Sequence, residues 1–212
     1  MKVEIYSDIL CPWCYIGKRR VASALALLSN PARVELVWRS FELSPDQSRI
    51  PGKTAAAAIR EWRGNAEAAT RIAHIRALGA ADGLDLNLDL ARPVSTFDAH
   101  RLMHFAADRG KSDAVVERLF RTYHTEGGNV ADRAVLVRLG DEAGIDRTEV
   151  GDMLASDAYA LDVQGDERRA SQLGITSVPS IVVAGKAPVS GIQTPAELAL
   201  LIEEALRDAG KS

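Results

Sequence analysis

Residues 11–14 read Cys11-Pro12-Trp13-Cys14, and the elements on either side of this motif indicate the fold of the chain. It follows the alternating apolar run of residues 3–6 and precedes a helical pattern. Two residues between the cysteines let one helical turn bring both sulfurs within disulfide reach. A helix start offers unpaired N–H groups and a positive dipole end, which favour the thiolate form of Cys11. The motif therefore predicts Cys11 as the nucleophile of thiol–disulfide exchange and Cys14 as the resolving thiol.

Two other roles for the cysteine pair remain open, although we favour the redox dithiol. A zinc site needs about four ligands, and the chain has two cysteines, with every histidine far downstream. A structural disulfide across two residues closes almost no loop and would stabilise the chain little. His100 and His104 have metal-ligand spacing near Asp98 but share no third ligand at a convincing sequence spacing. We expect them to be packed or surface histidines, and we predict no metal site.

Composition excludes several classes of protein. The chain has 212 residues, 47% hydrophobic and 26% charged, which is ordinary for a globular protein with a sizeable core. The net charge of −3 gives no basic footprint for nucleic acid, and no apolar run approaches a membrane span. Because Met1-Lys2 enters the first strand without a signal-peptide pattern, we expect a cytoplasmic protein. In a reducing cytosol, a lone close-spaced cysteine pair is more often catalytic than structural.

The opening of the chain predicts a strand–helix–strand unit. Residues 3–7 and 33–38 alternate as strands, and residues 12–28 have a helical apolar stripe. The cysteines then lie at the carboxyl end of the first strand, where open α/β sheets place their sites. We interpret Asp8 as a turn or cap residue. An electrostatic influence of Asp8 on the cysteines is the alternative.

The remainder of the chain is first mainly helical and then returns to α/β character. From residue 54 to about 159 the pattern is helical, with residues 84–90 favoured as an extended loop, and a further helix starts at Ser156 or Asp157. A strand follows Pro179, and residues 189–191 form a short antiparallel return strand. Cap chemistry predicts helix starts at Thr54, Thr96, Ser112, Asp146 and Thr194.

The two halves together resemble a known family. The segments 7–17, Ser-Asp-Ile-Leu-Cys-Pro-Trp-Cys-Tyr-Ile-Gly, and 174–179, Gly-Ile-Thr-Ser-Val-Pro, resemble the DsbA superfamily and, within it, the FrnE-type branch with relatives of 2-hydroxychromene-2-carboxylate isomerase. The resemblance implies an α/β protein with a thioredoxin-like fold and a large inserted all-helical subdomain. The thioredoxin-like domain would comprise residues 1–43 and 157–212, and the helical subdomain residues 44–156.

The resemblance also implies roles for individual residues. Cys11 would be the exposed attacking thiol and Cys14 the more buried resolving thiol. Pro12 and Trp13 would tune the redox poise and shape the contact surface, with simple packing as the alternative for Trp13. Pro179 would match the cis-proline loop beside the active-site disulfide, with the Val178 backbone offered to a bound peptide. A plain strand-start proline is the alternative for Pro179.

The predicted function is that of a thiol–disulfide oxidoreductase or isomerase acting on disulfide-containing proteins or small thiols. It needs no bound cofactor beyond the redox-active Cys11–Cys14 disulfide, and glutathione is a candidate co-substrate. One alternative is a glutathione-dependent isomerase or transferase on the same fold, although such relatives usually carry serine where Cys11 stands. Another is a peptide-binding module with incidental cysteines. The substrate, the direction of electron flow and the oligomeric state stay open.

Overall fold

The computed structural model describes residues 1–209 and contains a four-stranded mixed sheet. The strands are β1 (Lys2–Ser7), β2 (Glu35–Ser40), β3 (Ser180–Val183) and β4 (Val189–Ser190). Their order across the sheet is β2-β1-β3-β4. Strand β1 pairs parallel with β2 and antiparallel with β3, which in turn pairs antiparallel with β4. The predicted mixed α/β class is confirmed.

Most of the described chain is helical. The helices are α1 (Pro12–Ala26), α2 (Ala55–Arg63), α3 (Asn65–Ala81), α4 (Phe97–Ala107), α5 (Ser112–His124), α6 (Arg133–Glu142), α7 (Arg147–Ala155), α8 (Ala160–Gln172) and α9 (Pro195–Ala209). Residues 41–159 form only helices and loops, and residues 84–90 are a loop as expected. None of the helices in residues 1–209 is long and apolar enough to cross a lipid bilayer.

Strand β1 is central because both of its faces are buried, with side chains alternating between two cores. Val3 and Ile5 join the large core formed with α1 and α9. Tyr6 lies in a smaller core on the opposite face, beside α8. Glu4 is also buried, and it accepts hydrogen bonds from Arg39 of β2 at 2.9 and 2.6 Å. The sheet is therefore covered by helices on both faces, and its carboxyl end at Ser7 opens toward α1.

The helical segment is packed into the molecule through two cores. Ile72 and Leu86 from this segment belong to the same core as the sheet. A second core gathers residues of α4 to α7 and also takes in Ile9, which lies between β1 and α1. The predicted division at residues 43/44 and 156/157 stays a prediction. The hydrophobic packing nevertheless joins the helical segment to the loop that carries the cysteines.

Cap chemistry located several helix starts correctly. The Thr54 hydroxyl accepts from the Ala57 backbone N–H at 3.2 Å, and the Asp146 carboxylate accepts from the first turn of α7. Thr194 and Glu197 form the reciprocal capping box of α9, with distances of 2.8 Å and 3.3 Å. These bonds satisfy N–H groups that would otherwise lack a helical partner, which is why the signal is readable locally.

Several predicted boundaries were wrong. Helix α1 ends at Ala26 rather than at residue 28. Strand β2 begins two residues later than predicted, because Pro31–Arg33 form a 3₁₀ turn. Ser112 is the first helical residue of α5 rather than its cap, a position that Lys111 occupies. Helix α8 begins at Ala160, not at residue 156 or 157, because Tyr159 before it adopts a left-handed backbone with φ of 63°.

Arg101 explains the late start of α8. This arginine of α4 is 3% exposed, and its guanidinium donates to the backbone oxygens of Met153 at 2.7 Å and Ala158 at 2.8 Å. It also donates to the Ser156 oxygen and to the Asp98 carboxylate, the latter at 2.8 Å. Carbonyls held by a side chain are turned away from helical partners. Arg101 thus closes α7 and keeps residues 156–158 out of α8.

Replacing Arg101 with methionine should lower the free energy of unfolding by about 2–3 kcal/mol, because several buried carbonyls lose their donor and Asp98 keeps only Arg49, at 2.7 Å, as a close partner. Urea denaturation followed by circular dichroism measures the change. The control is Arg147→Met, which removes an exposed ion pair to Asp141 at 3.0 Å. That variant should lose under about 1 kcal/mol. Similar losses in both variants would contradict the role given to Arg101.

Candidate active site

The loop between β1 and α1 presents both cysteines at a helix start. Cys11 is the N-cap residue of α1, with extended backbone angles, and Pro12 occupies the first helical position. The Cys11 N–H donates to the Asp8 carbonyl at 3.1 Å, and the Cys14 N–H donates to the Cys11 carbonyl at 3.0 Å. Pro12 gives up no helical hydrogen bond there. The predicted arrangement of strand, cysteine loop and helix is confirmed.

Both cysteines are free thiols, and both are buried. Cys11 is 5% exposed and Cys14 is 1% exposed, so the expected exposure of Cys11 was wrong, although its order relative to Cys14 was right. Burial raises the pKa of Cys14 well above its usual value, and the adjacent Cys11 sulfur raises it further. The Ser7 hydroxyl beside Cys14 acts in the opposite direction. Cys14 is therefore held as a neutral thiol, shielded from water.

The distant Val178–Pro179 segment covers Cys11. The Cys11 thiol lies 3.6 Å from the Val178 carbonyl, its hydrogen-bond acceptor, across 167 residues of sequence. The peptide bond between Val178 and Pro179 is cis, as predicted. This juxtaposition is the reason that Cys11 is buried. It also leaves the Val178 backbone beside the thiol, where we predicted a contact surface for substrate.

Two glycines make room for the Pro179 ring. A Cβ on Gly17 of α1 would lie 3.0 Å from Pro179 Cγ, and one on Gly191 would lie 2.9 Å from Pro179 Cβ. The Gly191 N–H also donates to the Pro179 carbonyl at 2.9 Å. Any larger side chain at either glycine would push the Pro179 loop away from α1. Gly17 and Gly191 therefore position the loop over the cysteines.

Pro12 and Trp13 face different surroundings. Trp13 is half-buried against the large core, with its ring 5.8 Å from the ring of His74. This contact supports the packing interpretation of Trp13. Pro12 lines an apolar cleft with Leu10, Ile59 of α2 and Tyr123 of α5. The cleft encloses about 540 Å³ of empty space, part of it open to solvent. The space open to the centre of a water-sized sphere is about 190 Å³, which is enough for an apolar side chain and smaller than a typical pocket for a drug-sized ligand.

Asp8 is fully buried below the loop and serves as the predicted turn residue. Its carboxylate accepts from the Leu43 N–H at 2.7 Å and from the Leu10 N–H at 3.4 Å. The same carboxylate lies 3.5 Å from Nε2 of His100. Asp8 thus also brings a charge close to the cysteine loop.

Sequence reasoning did not identify His124 as a residue of the apolar cleft. This histidine ends α5, stacks against Tyr15 and Phe120, and lines the apolar cleft. Burial lowers the pKa of His124 to about 4, although Asp8 and the backbone of the cysteine loop act in the opposite direction. The imidazole is therefore neutral near pH 7. Its position on the apolar side of an amphipathic helix was the signal that could have identified it.

The histidines and aspartate weighed as metal ligands have separate partners. His100 faces Asp8, whereas Nε2 of His104 lies 3.0 Å from the Ser40 hydroxyl and 3.1 Å from Asp166. Asp98 binds Arg101. These contacts agree with the packed histidines that the sequence predicted.

Comparison with known proteins relates the chain to one family. The family model of the DSBA-like thioredoxin domain matches residues 2–203. A probable DsbA oxidoreductase from Streptomyces coelicolor is 38% identical, with a TM-score of 0.90 over 97% of this chain and 90% of that chain. These two matches confirm the predicted thioredoxin-like fold.

More distant solved structures share this fold. The cytosolic disulfide reductase DsbM from Pseudomonas aeruginosa, solved with GSH, is 18% identical, with a TM-score of 0.69 over 98% of this chain and 100% of that chain. A 2-hydroxychromene-2-carboxylate isomerase is 15% identical, with a TM-score of 0.66 over 100% of both chains. At such identities the two matches show a common fold and no more.

Alkylation of the reduced protein near neutral pH should modify Cys11 before Cys14. Cys14 is the less exposed sulfur, and burial raises its pKa, so it presents less of the reactive thiolate. Mass spectrometry of peptides after short exposures measures both rates, and urea-unfolded protein is the control in which the rates should converge. Equal rates in the folded protein, or faster labelling of Cys14, would overturn the predicted order of reactivity.

Replacing Gly17 with alanine should displace the Pro179 loop and destabilise the protein by about 1–3 kcal/mol through overpacking. The matched control is Gly151→Ala in α7, where a Cβ meets no described heavy atom within 4 Å. Alanine in a helix is favoured over glycine by about 1 kcal/mol, so the control should gain stability. Urea midpoints measure both. A stabilised Gly17→Ala variant would show that the loop packing is loose.

Proposed function

The chain belongs to the DSBA-like thioredoxin domain family. From this premise we propose that it exchanges disulfides with protein or small-thiol substrates through Cys11 and Cys14. The observation that carries the proposal is the pair of free thiols at the start of α1, with Cys11 beneath the Val178 carbonyl. Cys11 attacks first because it is the outer sulfur.

The proposed reduction of a substrate runs in two steps. In the first, the Cys11 thiolate attacks one substrate sulfur, a Cys11–substrate disulfide forms, and the other substrate sulfur leaves with its electron pair and takes a proton. In the second, Cys14 loses its proton and attacks Cys11. The Cys11–Cys14 disulfide forms and the remaining substrate thiolate leaves. Oxidation of a dithiol substrate is the same sequence in reverse.

Substrate contacts follow from the surface around Cys11. The Val178 backbone can pair with an extended peptide, in the manner of an added strand. The cleft beside Pro12 is lined mainly by apolar side chains, including Leu10 and Ile59, and it can accept an apolar side chain next to the substrate disulfide. Pro12 and Trp13 complete the surface in this proposal, and Pro179 holds the Val178 backbone in place beside Cys11.

Glutathione is the proposed small-thiol partner, and the cytoplasm is the proposed location. A member of the same fold is a cytosolic disulfide reductase solved with GSH. In such a compartment, glutathione would return the Cys11–Cys14 disulfide to its reduced form by thiol–disulfide exchange. No further cofactor is required, because the two cysteine sulfurs carry both electrons.

A glutathione-dependent isomerase is the second candidate, since a 2-hydroxychromene-2-carboxylate isomerase shares the fold. That chemistry needs an activated glutathione thiol rather than a protein dithiol. The presence of both Cys11 and Cys14 favours the redox proposal. The two candidates differ in a measurable way, because the isomerase reaction does not require Cys14.

The dithiol proposal makes opposite predictions for the two cysteines. Cys11→Ser should abolish reduction of insulin disulfides, since the nucleophile is lost. Cys14→Ser should retain the first attack but block resolution, so mixed disulfides accumulate. Insulin precipitation measures turnover, and non-reducing gels with mass spectrometry detect the mixed disulfide, each with and without glutathione.

The control is Ser29→Ala, which removes a hydroxyl that donates to Glu203 away from the cysteines. It should react like the wild-type protein. Full turnover by Cys14→Ser without glutathione would contradict the dithiol mechanism. If Cys14→Ser turns over only in the presence of glutathione, the result would favour the second candidate, the glutathione-dependent isomerase.

A further inference from the structure

Helix α2 carries an apolar stripe that begins in the cleft beside the cysteine loop and ends in open solvent. The stripe consists of Ala55, Ala58, Ile59 and Trp62, which share one side of the helix because residues spaced by three, four and seven positions do so. The first three are half-buried and line the cleft together with Pro12. Trp62 is 70% exposed. The stripe therefore leads from the cysteine loop to a large apolar side chain that the fold leaves uncovered.

The cleft end of the stripe is held in place by the backbone. The Ala55 N–H donates to the Ala91 carbonyl at 2.7 Å, and the Ala56 N–H donates to the Leu88 carbonyl at 2.9 Å. Leu88 and Ala91 are themselves wall residues of the cleft. These bonds fix the start of α2 against the loop that forms the rest of the wall, so the cleft is formed before any substrate binds.

The exposed end of the stripe is also ordered. The Arg63 guanidinium lies over the Trp62 ring, 4.0 Å from its centre, and donates to the Glu67 carboxylate of α3 at 2.6 Å. The ion pair fixes the guanidinium, which in turn covers one face of the indole. The rest of the indole is open to solvent. An aromatic side chain that is already held in one position loses little conformational entropy on binding, and tryptophan and arginine are enriched among the residues that dominate binding energies.

We propose that the α2 stripe docks an extended segment of a polypeptide substrate, with one apolar side chain in the cleft and a second against Trp62. This inference rests on the proposed function, since the docked segment is the one that carries the substrate cysteine. It names the substrate class as unfolded polypeptide with apolar residues near its cysteine, in preference to a small thiol, which would not extend from Cys11 to Trp62.

The dimensions of the stripe fit an extended peptide. The helical rise of about 1.5 Å per residue separates Ala58, in the cleft, from Trp62 by about 6 Å along the axis of α2. In an extended chain, side chains at alternate positions point to the same side and lie about 7 Å apart. Two apolar side chains separated by one residue therefore reach the cleft and the indole together.

The charges around the stripe favour an apolar occupant over a charged one. Arg60, on another face of α2, pairs with Asp89 at 3.5 Å, and Glu61 pairs with Lys53. Among the described wall residues of the cleft there is no aspartate, glutamate, lysine or arginine. A charged substrate side chain would therefore lose its water there without gaining an ionic partner, which costs free energy.

The test uses three synthetic peptides, each with one cysteine in a mixed disulfide with 5-thio-2-nitrobenzoate. The first peptide has leucine two residues and phenylalanine four residues from the cysteine on both sides, so that chain direction does not matter. The second has serine for phenylalanine, and the third has serine for both. Release of the coloured thiolate by reduced protein, at low peptide concentration, measures the second-order rate constant. Each apolar residue should raise that constant by about fivefold.

Two variants identify the ends of the stripe. Trp62→Ala should abolish the gain from phenylalanine, and Ala58→Asp, which places a charge in the cleft, should abolish the gain from leucine. The matched controls are Leu161→Ala, which removes a 75% exposed leucine of α8, and Ala57→Asp, which places the same charge on α2 outside the stripe. Both controls should keep the wild-type order of the three peptides.

Equal rates for the three peptides, or a phenylalanine gain that survives in Trp62→Ala, would overturn the docking of a polypeptide on the stripe. So would a wild-type dimer that becomes a monomer in Trp62→Ala by analytical ultracentrifugation, because the stripe would then bind a second copy of the chain. A wild-type protein that reduces none of the peptides would instead overturn the proposed function. Fluorescence anisotropy of labelled peptides with serine in place of cysteine then still measures docking, with the same expected order.

Discussion

The close contact of the Pro179 ring with Gly17 and Gly191 holds the two ends of the thioredoxin-like fold together. Room for a Cβ is lacking at either glycine, and the Gly191 N–H donates to the Pro179 carbonyl. This contact places Val178 over Cys11 and brings β3 alongside β1. The position of the nucleophile, its shielding from water and the closure of the sheet therefore depend on one tightly packed point.

The helical segment is part of the site, because it excludes water from the cysteine loop. Helix α5 supplies Tyr123 and His124 to the cleft wall, and α4 supplies His100 beside Asp8. Ile9 of the loop belongs to the core of this segment. Low dielectric around Cys14 raises its pKa, so the same packing that stabilises the molecule also holds the resolving thiol in its protonated form.

Local signals predicted much of the fold. Alternation located β1, and cap chemistry located the starts of α2, α7 and α9, because strand burial and unpaired N–H groups act within a few residues. The roles of the cysteine pair and of the proline before β3 were also predicted from local sequence, together with a family resemblance. The predicted start of α8 was wrong because Arg101, which lies 55 residues before Ser156, binds the carbonyl groups near Ser156. No pattern around residue 156 carries that information.

The sequence alone was enough to predict a single close-spaced dithiol between a strand and a helix, in a mixed α/β protein with a long helical segment. The folded structure alone shows that Cys11 is covered, that Asp8 lies beside His100, and that Ser7, Trp38 and His100 line one cavity. Those facts depend on contacts between residues as far apart as 167 positions. The packing of whole helices against the sheet sets such contacts, and no local periodicity encodes it.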